Sequence, residues 1–143
     1  DRRLGNVLSL GTIESVDGST GRVRVRIGEV VTPPIPVGQQ RAGGVSFWWM
    51  PEAGEQVMAG APSGDLAQGV VVASAYAGNA PSADAGVPML ELAGGTMRIN
   101  GTLVITGSID LTGGDIVADG ISLKEHLHGG VTPGNSKTGV PTS

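Results

Sequence analysis

From Arg22 to Ile27 the chain alternates strictly, with Val23, Val25 and Ile27 on one side and Arg22, Arg24 and Arg26 on the other. A period of two is that of a half-buried antiparallel strand, so the valines are expected to face a core and the arginines water. Residues 11–16 read as its partner strand, and Asp17-Gly18-Ser19-Thr20-Gly21 between them has the small polar residues of a turn. Pro33, Pro34, Pro36 and Gly38 then forbid regular structure, and a strand-like pattern resumes over residues 43–49. Residues 55–61 and 70–76 predict two more strands, joined near Ser63-Gly64-Asp65. Five short strands without helical periodicity point to a small barrel, and residues 1–78 are expected to form an OB-fold domain. Residues 78–88, rich in Ala, Gly, Ser and Pro, read as a linker.

After the linker the rule changes. Met97 and Ile99, Leu103 and Ile105, Ile109 and Leu111, Ile116 and Ala118, and Ile121 and Leu123 are successive apolar pairs at i, i+2. Asn100-Gly101, Thr106-Gly107, Gly113-Gly114 and Asp119-Gly120 separate them, giving a degenerate repeat of about six residues. Each unit is a very short strand with one apolar face, followed by a corner where glycine takes positive φ at no steric cost. A meander of hairpins is one reading of the Asn-Gly and Asp-Gly corners. Strands this short would leave a two-layer sheet with almost nothing to bury. An intertwined triple-stranded β-helix, in which three chains enclose the apolar pairs around one axis, accounts for the pattern better. The outward positions, Arg98, Ser108, Asp110, Thr112, Asp115, Asp119 and Ser122, make a polar, mildly acidic surface. The expected boundaries are 79–95 for the linker and start of the shaft, 96–124 for the shaft and 125–143 for a tip.

Composition strengthens the suspicion of oligomerisation. All four aromatic residues, Phe47, Trp48, Trp49 and Tyr76, lie in the first part of the chain. The rest must build a core from aliphatic residues and glycine, and is not expected to fold alone. No cysteine is present to staple the fold or to bind metal. With 13 acidic against 9 basic residues and a net charge of −4, general affinity for nucleic acid or anionic membranes is disfavoured. The longest uncharged run, residues 66–83, is too polar and broken for a membrane span, and no signal peptide is visible. These features describe a soluble, assembled protein. The chain opens on Asp1, not Met, and is expected to continue upstream.

The only two histidines lie two apart in Glu125-His126-Leu127-His128-Gly129-Gly130. On an extended backbone both imidazoles point the same way, and three copies would present six nitrogens around an axis. Zinc prefers four ligands, so six nitrogens favour a metal comfortable with octahedral coordination, such as iron or nickel. An ion there would tie the strands together where the apolar core runs out. The small, turn-prone residues 131–141 suit a compact cap that folds back behind it.

Two other chemistries compete with this one. Phe47, Trp48 and Trp49 could stack nucleic-acid bases, as aromatics on OB folds do, but the acidic balance favours their packing in the barrel or between protomers. An enzyme is not expected. With no cysteine, and no histidine before position 126, the usual nucleophile and base pairs are missing. A closed six-coordinate metal would leave no open position for a substrate, and a metalloenzyme at the histidines is the weaker alternative. No pattern places an acidic pair in a pocket.

Taken together, Leu8-Ser9-Leu10-Gly11-Thr12-Ile13, the Arg-Val-Arg-Val strand, Arg41-Ala42-Gly43, residues 51–57 and residues 64–71 resemble the baseplate assembly protein V family. Its members are the central spikes of P2-like contractile tails and related R-type bacteriocins. His126-x-His128-Gly129, followed by Gly134 and Thr138-Gly139-Val140-Pro141, resembles the family's tip motif and is the more specific signal. The resemblance implies a homotrimer with OB domains against the tail hub, a β-helical shaft, and a tip holding one iron ion per trimer through His126 and His128. It implies a virion location at the tail baseplate and mechanical piercing of a host outer membrane on sheath contraction, without catalysis. A type VI secretion spike lies within the same class. No insertion has room for a lysozyme domain, and the front end is short beside complete family members.

Overall fold

The computed structural model describes residues 7–132, 134 and 135. The chain divides into two units, Asp1–Ala93 and Gly94–Ser143. The first contains the strands β1 (Leu8–Asp17), β2 (Arg22–Ile27), β3 (Val30–Val31), β4 (Ile35–Pro36), β5 (Gln56–Gly60) and β6 (Val70–Ser74). All pair antiparallel in the order β3-β2-β1-β5-β6, with β4 also on β2. A parallel bridge between Val37 and Val71, with the Gly38 N–H donating to the Val71 carbonyl at 2.8 Å, joins the end of β4 to β6 and closes the sheet. Closure in this order gives the OB-type barrel.

Alternation puts Val23 and Val25 of β2, Val57 and Ala59 of β5, and Ile13 of β1 inside. Ile35 and Val71 complete this core, and Ile27, Val37 and Met50 pack against it. β1 is bulged between Ile13 and Ser15, so Glu14 is an extra residue on its strand. Its carboxylate meets the Arg26 guanidinium at 2.8 Å across the sheet. Gly11 is required by close approach: a Cβ there would lie 2.6 Å from Val25 Cγ1 and 2.7 Å from the Arg26 carbonyl oxygen. The β1–β2 turn is held by Asp17, whose carboxylate accepts from the Ser19 N–H and hydroxyl, and Gly21 closes it at a φ of 67°. Near Ser63-Gly64-Asp65 the chain makes two 3-10 turns, Pro62–Gly64 and Leu66–Gln68.

Three expectations need correction. Residues 43–49 form no strand; Ala42 and Ser46 make a single bridge, and the loop closes on itself through Phe47 N–H to the Arg41 carbonyl. The prolines do not exclude pairing, since the two-residue strand β4 includes Pro36 and buries Ile35. Proline is tolerated because so short a strand asks few N–H donors of it. Thirdly, of the two places expected for the aromatics, the barrel core holds none: its buried hydrophobic residues are all Ile, Val or Ala. Trp48 is 66% exposed, and Phe47, Trp49 and Tyr76 are also exposed.

The described part of the second unit contrasts with the barrel, for none of its residues is buried. Residues 94–114 form no strand or helix. The corner glycines Gly101, Gly107 and Gly113 have φ of 148°, 137° and 77°, outside the range that side-chain-bearing residues favour. A small hairpin follows, β7 (Val117–Ala118) and β8 (Ile121–Ser122). Asp119 and Gly120 both have positive φ, 50° and 83°, as a two-residue primed turn requires. Every predicted apolar pair from Met97 to Leu123 is exposed in the single chain. No helix among the described residues is long and apolar enough to cross a membrane.

Candidate metal centre and exposed aromatic loop

His126 and His128 follow the β7–β8 hairpin, and the local chain sets their rings together. The two imidazole centroids are 5.0 Å apart with the planes at 76°, while the intervening Leu127 is 94% exposed. His126 Nδ1 lies 2.9 Å from the Ser122 carbonyl oxygen and 3.1 Å from that of Leu123. A carbonyl only accepts, so Nδ1 carries a proton and donates, and in the neutral ring this leaves the lone pair on Nε2. This is the tautomer of a histidine oriented for metal binding through Nε2. Among the described residues no third His, Cys, Asp or Glu joins them. Among the described residues, one chain therefore offers two imidazoles to an ion.

Upstream of the histidines, Asp115 organises the hairpin. Its Oδ1 accepts from the Ile116 N–H at 2.8 Å and the Lys124 N–H at 3.2 Å, and its Oδ2 accepts from the Ser122 hydroxyl. The Ser122 hydroxyl oxygen accepts in turn from the Glu125 N–H at 2.9 Å. The Ser122 hydroxyl, followed by backbone N–H groups, holds the Asp115 carboxyl below its ordinary range despite partial desolvation. In the sequence Asp115 and Ser122 read as plain outward residues. Their seven-residue separation becomes contact only because Asp119-Gly120 folds the hairpin.

In the barrel, Gln39 clamps Trp49 by a pair of bonds: the Trp49 N–H donates to Oε1 and Nε2 donates to the Trp49 carbonyl, both at 3.2 Å. The clamp holds the loop that displays Phe47 and Trp48. Trp48 lies over the β1–β2 turn, where a Cβ on Gly21 would come within 3.2 Å of its ring. A groove along β6 is lined by Met50, Glu55, Ser74, Tyr76 and Glu91. Contrary to expectation, two carboxylates thus share a groove. Each is engaged locally: Glu55 accepts from the Ser74 hydroxyl and the Glu52 N–H, and Glu91 from the Ala93 N–H.

Comparison with known proteins agrees with this layout. The family described as the type VI secretion system/phage-baseplate injector OB domain matches residues 9–76, which span β1 to β6. The GpV Apex motif matches residues 120–142, from the β7–β8 turn through both histidines. The spike protein of Escherichia phage P2 is 34% identical over 91 residues, covering 64% of this chain and 43% of that protein. The chain carries the phage-baseplate injector OB domain and the GpV Apex motif, and is similar to a phage spike protein. It spans less than half the length of this spike relative. The apex match contains His126 and His128. Much of that match, including Thr138-Gly139-Val140-Pro141 and most of the expected cap, lies outside the described residues.

Proposed function

We propose that three copies of this chain form the central spike of a contractile phage-type tail baseplate, which pierces the host outer membrane when the sheath contracts. The observation that carries the reading is the exposed apolar face of the second unit. Met97, Ile99, Leu103, Ile105, Ile109, Leu111, Ile121 and Leu123 recur in pairs at every turn of the repeat, yet each is about half or more exposed in one chain. Leaving apolar surface in water costs about 25 cal/mol per Å², and such a regular array of uncovered side chains calls for a partner of the same repeat. Residues 96–124 of three chains would wind into an intertwined β-helix that buries these pairs and shares backbone hydrogen bonds between chains. A shaft so built transmits force along its axis, because no strand can leave without breaking bonds to two others. The OB barrels would sit against the tail hub at the baseplate.

At the tip, His126 and His128 from each chain would give six imidazole nitrogens, a set suited to one iron ion per trimer. A bound ion supplies a cross-link between the three chains where the apolar repeat ends. The free Nε2 of His126 and the close approach of the two rings fit that role. The spike needs no catalytic step.

Elemental analysis of the purified protein tests the tip. One iron per three chains is expected, and His126→Ala with His128→Ala should remove it. A double variant that keeps stoichiometric metal would overturn the assignment. The exposed Phe47, Trp48 and Trp49 support a second reading, a trimeric nucleic-acid-binding module. Salt-sensitive binding of single-stranded oligonucleotides would favour it, and absence of binding at low salt would reject it.

A further inference from the structure

The loop that presents the histidines is tied back to the shaft by side chains that neither the repeat nor the His-x-His motif accounts for. Ser122 stands at the crossing. Its hydroxyl donates to Asp115 Oδ2 and accepts from the Glu125 N–H, while its carbonyl accepts from both the His126 N–H, at 3.2 Å, and His126 Nδ1, at 2.9 Å. Asp115 reaches the same segment once more, through the N–H of Lys124, and also accepts from the N–H of its neighbour Ile116. The Lys124 ammonium, which would otherwise be free to pair with a tip carboxylate, donates instead to the Gly114 carbonyl at 2.9 Å. A continuous chain of hydrogen bonds therefore runs from Asp115, before the hairpin, through Ser122 to the imidazole of His126.

We infer that Asp115 and Ser122 are positioning residues for the metal tip: they fix the Ser122 peptide whose carbonyl holds His126 in its Nδ1–H tautomer, with Nε2 turned outward for the ion. The inference rests on the proposed histidine site. A partner that fixes ring orientation and tautomer is worth about 10- to 100-fold in metal affinity at sites of this kind. Asp115 accepts three bonds with its two oxygens. Asp115→Asn would leave only one acceptor oxygen there, because an amide nitrogen cannot accept from Ser122 or a backbone N–H. Ser122→Ala removes the hydroxyl but retains the carbonyl, so it breaks the tie without deleting the group that contacts the imidazole.

The test uses the full chain and three variants, Asp115→Asn, Ser122→Ala and the conservative Ser122→Thr. Native mass is measured for each, together with the rate at which EDTA strips bound iron. Imidazole nitrogen NMR on metal-free protein reports the His126 tautomer. Ser122→Ala and Asp115→Asn should keep the wild-type mass and release iron about 10- to 100-fold faster. His126 should lose its fixed Nδ1–H tautomer in both, and Ser122→Thr should restore the wild-type rate and tautomer. Iron release at the wild-type rate from both weakened variants, with the tautomer unchanged, would overturn the positioning role and leave the histidine site intact. Wild-type protein that takes up no iron would overturn the site itself, and this inference with it. Should either weakened variant fail to assemble, the other and the NMR signal still decide the question.

Discussion

The barrel and the repeat carry the same apolar period of two, and within one chain only the barrel covers it. The barrel closes on itself, and Ile13, Val23, Val25, Ile35 and Val57 are each at most 2% exposed. The repeat has comparable aliphatic residues at the same period of two, yet the single chain buries none of them. The difference is in closure: β4 and β6 meet at Val37 and Val71, while residues 94–114 form no strand. An apolar period of two thus marks a face that favours burial, and does not say what covers it.

The largest expected effect comes from charging the repeat. Leu103→Asp with Leu111→Asp would set six carboxylates around the axis of the proposed trimer, where desolvation and mutual repulsion oppose assembly. Native mass should drop to that of one chain while the barrel keeps its β-sheet circular dichroism. Assembly that survives the double change would show that these side chains face water.

Core substitutions should act on the barrel alone. Ile13→Ala is expected to cost about 2–5 kcal/mol of barrel stability in chemical denaturation. Thr32→Val should cost about 1–3 kcal/mol, because the buried Thr32 hydroxyl accepts from the Val25 N–H at 3.0 Å and no other group replaces it. Neither change should alter the number of chains in the assembly. A loss of assembly from either would mean that barrel and shaft fold as one cooperative unit.

The smallest effect is in pH. Glu14 is held below its ordinary range first by the hydrogen bond from Arg26, and Asp17 first by that from the Ser19 hydroxyl. Because their pKa values are lowered in the folded barrel, their contribution is fully present above the usual carboxylate range. It is lost as pH falls through the folded values beneath that range. Both groups are exposed, so acid should lower the barrel's melting temperature only slightly, and Glu14→Gln should flatten part of that slope. An equal slope in the variant would remove the Arg26 pair from the account.

Much of this is legible in the residues. The alternation of β2 names its buried valines and Asp17 to Gly21 names its turn, whereas the hairpin at Asp119-Gly120 belongs to the reading set aside in favour of the β-helix. The loop of residues 43–49 reads as a strand because its apolar residues follow strand spacing, although the backbone curls back onto Arg41. Ile35 is hidden between prolines, and Thr32 looks like any polar loop residue until its hydroxyl is seen to stand in for a strand partner of Val25. The two histidines stand out in the sequence as the only ones. Asp115 and Ser122 do not, because their link depends on the hairpin that brings positions seven apart into contact.

The central claim, that the exposed repeat is covered by two further copies of itself, is tested most directly by the native mass of the full-length chain over a wide range of dilution. Three chains per particle are expected, persisting as concentration falls if the chains are interwound. A particle of one chain at every concentration would contradict it, and would leave the apolar repeat to be covered by a different partner.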